Sequence, residues 1–201
     1  MYRLPNAITI MRVVLVPVFA IAFSLPGNTW RMVAFVVFCI AGLSDALDGL
    51  AARKLNAGSD FGRMLDPIAD KVLVAVALMM LVAEGNIEQF NLEPGLHSLL
   101  KLVPALIILS REILVSGLRE FLAGTRVTIR VTAVAKLKTT IQMIAIGAMI
   151  LGPIADKFVP GSAYLAYAAL WIAAALTVYT GVVYFNEGMK HLAPQRAPGD
   201  A

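Results

Sequence analysis

SDALDGLAARKLNAGSDFGRMLDPIADKV, residues 44–72, gathers five aspartates, two arginines and two lysines inside a chain that is 59% hydrophobic and only 15% charged. Residues three or four apart share a helix face. Asp45, Asp48 and Ala52, with Gly49 beside them, therefore form a stripe at the end of one helix, and Gly62, Asp66 and Asp70 form another at the start of the next. The stripes face each other across a short turn, Leu55 to Asp60. Asp60 falls off both stripes and reads as a solvated or helix-capping residue.

Outward from this stretch the chain is apolar. Its mean hydropathy is +0.79 over 201 residues, and its hydrophobic content exceeds the roughly 45–50% of soluble domains. Apolar runs of bilayer length, roughly 17–25 residues, predict helices near 7–25, 31–54, 62–84, 99–121, 133–152 and 161–186. The expected fold is an all-α integral membrane protein of six transmembrane helices. Residues 1–190 form a single domain, and the Pro-rich stretch 191–201 is a disordered tail. The first run is a retained helix rather than a signal peptide, because Arg12 interrupts it and no small-residue cleavage site follows Pro26. Cys39, the only cysteine, excludes an intrachain disulfide and reads as a small buried hydrophobe.

Basic residues orient such a chain. With a cytoplasmic N-terminus only Arg31, Lys101 and Lys157 of the 17 Lys and Arg lie toward the outer side, with Glu84, Glu88, Glu93 and Asp156. The expected topology is N-in/C-in, with the aspartate stretch at the cytoplasmic side. The net charge of +4 then reads as orientation and affinity for anionic membrane lipid, and nothing points to nucleic acid.

Four carboxylates held this close repel unless cations or protons intervene. Oxygen ligands without His or Cys select Mg²⁺, Mn²⁺ or Ca²⁺ over zinc, and four carboxylates suffice for two ions about 3.5–4 Å apart, as in phosphoryl-transfer sites. Gly49, Ala52 and Gly62 leave room for a bulky ligand, and Arg53 is placed to meet a phosphate oxygen. Solvation at a helix exit explains any single aspartate, but not two glycine-bearing stripes together.

A second polar cluster lies in SREILVSGLREFLAG (110–124) and AKLKTTIQM (135–143). Arg119, Lys136 and Lys138 fall at the level of the aspartates, and Arg111 lies roughly 12 Å deeper at 1.5 Å per residue. Together they suit a phosphate dianion. The alternative pairs the arginines with Glu112, Glu120 or the aspartates and makes the lysines membrane-surface anchors; Glu112 and Glu120 read as orienting the arginines. His97 and His191 read as surface residues, in an outer loop and near the tail. Asn6, Thr9 and Arg12 share one helical face at the membrane surface, either meeting the head group of a lipid or anchoring the helix while Arg12 snorkels.

Asp45-x2-Asp48-Gly49-x2-Ala52-Arg53-x8-Gly62-x3-Asp66-x3-Asp70 resembles, without a departure, the signature of the CDP-alcohol phosphotransferases, membrane enzymes that displace CMP from a CDP-linked alcohol. The resemblance implies that Asp45, Asp48, Asp66 and Asp70 hold two divalent metal ions, Mg²⁺ or Mn²⁺, on the CDP diphosphate bound at Gly49, Ala52, Arg53 and Gly62, and that Asp70 is also the catalytic base. Within the family, LPNAITIMR, REILVSGLRE and AKLKTTIQM are similar to the bacterial phosphatidylglycerophosphate synthases. That similarity implies CDP-diacylglycerol as donor, with Asn6, Thr9 and Arg12 at its head group. It implies sn-glycerol 3-phosphate as acceptor, its phosphate on Arg111, Arg119, Lys136 and Lys138. A homodimer in the cytoplasmic (inner) membrane of a bacterium is the further expectation.

Alternatives are the same chemistry with another acceptor, such as inositol phosphate, or a divalent-metal transporter. Transporters place their sites near the midplane between related halves. Here the acids cluster at one end and no internal repeat is visible.

Overall fold

The computed structural model describes the backbone of residues 3–55, 60–84, 94–124 and 133–192, and the side chains of 10–44, 68–69, 71–84, 99–122 and 137–189. Among the described residues there are six α-helices and no strand: α1 (Arg3–Ser24), α2 (Asn28–Leu55), α3 (Asp60–Ala83), α4 (Pro94–Gly124), α5 (Ala133–Phe158) and α6 (Ser162–Leu192). The six apolar runs thus become six helices, several longer than the runs themselves. α4 starts at Pro94, a residue suited to a first helical turn because its missing N–H is not needed there. His97 therefore belongs to a helix, not to the loop expected for it. At the other end, α6 continues through His191 to Leu192, past the expected start of the tail.

Two turns are legible in detail. α1 gives way to α2 at Leu25-Pro26-Gly27, where Gly27 takes a φ of +107° that favours glycine. α5 gives way to α6 at Val159-Pro160-Gly161, with Gly161 at φ +88°. Asp156 caps this second turn: its Oδ1 accepts from the Gly161 N–H at 2.9 Å and the Ala163 N–H at 3.4 Å, satisfying donors at the start of α6.

α3 packs against α1, α2, α4 and α5, while α6 closes the bundle against α4 and α5. Phe19 of α1 and Phe38 of α2 meet with ring centroids 6.0 Å apart. Leu73, Leu78 and Leu81 of α3, Ile108 of α4, Ile146 of α5 and Leu170 of α6 complete this core. The outside of the bundle is also apolar: Leu43 on α2, Met79 on α3, Leu114 on α4, Ile144 on α5 and Leu165 on α6 are all more than 60% exposed. Such a belt far exceeds the apolar patch a soluble monomer presents to water. Leu137–Phe158 and Ser162–Met189 are long and apolar enough to cross a membrane. Ile10–Ser24, Asn28–Ser44 and Lys71–Ala83 are shorter apolar helical stretches.

Arg31 and Lys101 were expected simply to mark the outer side. Both are instead buried, at 8% and 2% exposure. Arg31 Nη1 pairs with Glu84 Oε1, Nη2 donates to Glu84 Oε2 at 2.9 Å, and Nε donates to the Ile150 carbonyl at 2.6 Å. Its guanidinium carbon stands 4.2 Å from the Phe23 ring centroid. One side chain at the start of α2 thereby ties together α1, the end of α3 and α5. A buried guanidinium is stable only with partners of this kind.

Candidate active site

α2 carries Asp45, Asp48, Gly49, Ala52 and Arg53 in its last three turns, and α3 carries Gly62, Asp66 and Asp70 in its first three. The two helices pack on each other. At 1.5 Å per residue from the helix ends at Leu55 and Asp60, Asp45 and Asp70 both lie about 15 Å along, and Asp48 and Asp66 about 9–10 Å along. Each aspartate of α2 thus has a counterpart on α3 at a similar distance from the helix end. Their side chains, and those of Asn6, Thr9, Gly49, Ala52, Arg53, Gly62 and Lys136, lie outside the described residues. Among the described side chains no group of three or more His, Cys, Asp or Glu is placed to hold a metal. The donor set on α2 and α3, all carboxylate oxygen, fits a hard divalent ion rather than zinc.

The expected cation cluster divides. Glu112 of α4 is its hub: Lys138 Nζ of α5 donates to Glu112 Oε1, and Arg111 Nη1 stands 3.6 Å from the same oxygen. Lys138 is 4% exposed, so it is not the membrane-surface anchor that the alternative reading made it. Arg111 turns toward α6, where Nη2 donates to Thr180 Oγ1 at 3.0 Å. Its stem fills space that Gly181 leaves, since a Cβ there would lie 3.0 Å from Arg111 Cγ. Together they border a largely apolar cavity of about 410 Å³ between α4 and α6. Arg119 is exposed, with its guanidinium carbon 5.7 Å from the Tyr184 ring centroid on α6. Arg111 and Lys138 are thus brought together through a carboxylate, while Arg119 goes with α6. Glu112, expected to orient arginines, chiefly orients a lysine.

Arg12 departs from expectation in the opposite sense. It is fully buried, and its Nε donates at 3.4 Å to Ser44 Oγ, which donates to the Ala41 carbonyl at 2.8 Å. Snorkelling to the surface is therefore not what this side chain does. It links α1 to the residue immediately before Asp45.

Sequence reasoning missed Lys71, Ser116, Thr139 and Gln142. Lys71 Nζ, next after Asp70, donates to Ser116 Oγ of α4. Lys71, Val74, Glu112, Thr139 and Gln142 enclose a pocket of about 20 Å³ where α3, α4 and α5 meet. The signal was present in the spacing: Glu112 and Ser116, and likewise Lys138 and Gln142, are four apart, so each pair presents one polar face. A wider apolar groove of about 580 Å³ runs between α2 and α5, bordered by Phe38, Cys39, Leu43, Met143, Gly147 and Leu151. Cys39 is thus half-buried at a groove, not enclosed in the core.

Comparison with known proteins bears on the whole of this arrangement. Residues 2–179 match the sequence profile of the CDP-alcohol phosphatidyltransferases. The chain is 40% identical over 192 residues to a Rickettsia felis protein, covering 94% of this chain and 97% of the relative. It is 41% identical over 194 residues to a protein of Pseudomonas fluorescens, covering 94% and 92%. With a Salmonella paratyphi A protein the identity is 37% over 196 residues, covering 96% and 99%. All three relatives bear the name CDP-diacylglycerol–glycerol-3-phosphate 3-phosphatidyltransferase. With the aspartate signature carried on two packed helices and the likeness extending nearly end to end, the chain belongs to the CDP-alcohol phosphatidyltransferase family.

Proposed function

We propose that the protein transfers the phosphatidyl group of CDP-diacylglycerol to sn-glycerol 3-phosphate, releasing CMP and phosphatidylglycerophosphate. The observation that carries this reading is the near-full-length similarity to relatives that share that name. In the reaction a hydroxyl oxygen of the acceptor attacks the phosphorus that bears the diacylglycerol. The bond from that phosphorus to the CMP oxygen breaks, and CMP leaves with the electron pair.

Asp45, Asp48, Asp66 and Asp70 would hold two divalent ions, Mg²⁺ or Mn²⁺. When bound, these ions neutralise the diphosphate and the charge developing on CMP. Asp70 takes the proton of the attacking hydroxyl. Arg53 meets a diphosphate oxygen, and the small residues Gly49, Ala52 and Gly62 admit the nucleotide. Arg111, Arg119, Lys136 and Lys138 receive the acceptor phosphate, with Glu112 holding Lys138 and Arg111 in place. Asn6, Thr9 and Arg12 lie toward the donor's head group. The groove between α2 and α5 opens within a turn of Asp45, which favours it as the berth of a donor acyl chain.

The same reading makes the chain a single multi-pass domain with six spans, both termini and the aspartates on the cytoplasmic side of the inner membrane, working as a homodimer. The apolar exterior and the distribution of Lys and Arg support it.

The test is purified protein in detergent with CDP-diacylglycerol, Mg²⁺ and radiolabelled glycerol 3-phosphate, inositol 1-phosphate or serine. Label should enter the lipid fraction only from glycerol 3-phosphate. Incorporation from a different acceptor would keep the reaction class and overturn the acceptor.

A further inference from the structure

Resting on that reading of the acceptor, we propose that Gln142 is a specificity-determining residue, whose side-chain oxygen accepts a hydrogen bond from the acceptor hydroxyl that does not react. Gln142 is 2% exposed, and its Oε1 is a buried acceptor that finds no hydrogen-bond partner among the described residues. It borders the pocket of about 20 Å³ enclosed with Lys71, Glu112 and Thr139. A water-sized group needs roughly 10–15 Å³, so the pocket takes one hydroxyl and no more.

The chemistry of the walls selects what enters. An amide oxygen only accepts, so its partner must donate. Lys71, which borders the pocket, donates to Ser116, and Lys138, one turn before Gln142 on α5, donates to Glu112; neither reaches Gln142 Oε1. On α3 the pocket's wall is Lys71 and Val74, the residue after Asp70 and the one a turn beyond it. On α4 it is Glu112, the carboxylate that holds Lys138 and Arg111. The pocket therefore borders the helical turn of α3 that follows the proposed base, and the carboxylate that holds two of the proposed phosphate cations. sn-Glycerol 3-phosphate carries a terminal hydroxyl, which attacks, and a C2 hydroxyl, which does not. The C2 hydroxyl is the donor that Gln142 lacks. A site built around such a bond rejects the analogue without the hydroxyl, because the buried acceptor is then left unpaired.

The experiment compares sn-glycerol 3-phosphate with 1,3-propanediol monophosphate, which keeps the phosphate and a terminal hydroxyl but lacks the C2 hydroxyl. The wild-type protein should show kcat/KM about 10- to 100-fold lower for the analogue, the range set by one unpaired buried acceptor. Gln142→Met, close in volume but without the acceptor, should lose that factor with glycerol 3-phosphate and keep the wild-type value with the analogue, so the ratio collapses toward unity. The analogue reaction thus reports that the variant is folded. Equal use of both acceptors by the wild type, an unchanged ratio in the variant, or equal loss with both acceptors would each overturn the proposal. Absence of any glycerol 3-phosphate incorporation by the wild type would instead overturn the acceptor reading on which it rests.

Discussion

Glu112 holds two cations with one carboxylate, Lys138 from α5 and Arg111 from its own helix. Three positive side chains around it, counting Lys71, leave a local excess of positive charge that suits a phosphate dianion. Glu112→Gln keeps the shape and removes the charge that anchors Lys138. The expected outcome is a rise in acceptor KM of about 10-fold, the worth of a charge-assisted hydrogen bond, with donor KM changed much less. Steady-state kinetics with each substrate varied in turn measures the split, and equal rises in both constants would contradict the assignment. The role of Glu112 was only half legible in the sequence. Spacing placed it beside Arg111, but no local pattern says which of two neighbouring helices a buried carboxylate will face.

At the scale of elements, the six helices were readable because an apolar run of bilayer length has few other fates. That the aspartates sit on two successive helices was equally readable, while their grouping into stripes rests on period 3.6 alone, which places Asp45 with Asp48 and Asp66 with Asp70. What could not be read were contacts made by long polar side chains across the bundle. Arg31 and Lys101 looked like outer-side charges, yet they lie buried near Glu84, since a short polar interruption has the same composition whether it faces solvent or a neighbouring helix. The snorkelling alternative for Arg12 fails for the same reason, since that side chain lies buried against Ser44. The Arg31 latch joins α2 to α3 at the ends opposite the aspartates, so it sets how those helices lie against each other. Arg31→Ala leaves Glu84 part-buried without its bidentate partner and should cost about 3–5 kcal/mol of stability, read as a lower thermal midpoint in detergent. An unchanged midpoint would show that the latch contributes nothing to holding the helices.

In the whole molecule, the buried latch stands at one end of the bundle and the aspartates at the other, with α3 running through the centre in contact with four helices. A lipid substrate needs an apolar berth that opens sideways, and a water-soluble acceptor needs a polar one. The apolar groove between α2 and α5 and the polar junction of α3, α4 and α5 offer these two environments, and both are bordered by Thr139 of α5. In the proposed reaction, carboxylate chemistry on α2 and α3 drives the transfer. The most direct test is CMP release from CDP-diacylglycerol with glycerol 3-phosphate and Mg²⁺, comparing the wild type with Asp70→Asn while donor binding is measured in parallel. Acceptor-dependent release by the wild type, abolished in the variant although the donor still binds, is the predicted result. Wild-type turnover in Asp70→Asn would contradict the assignment of the base.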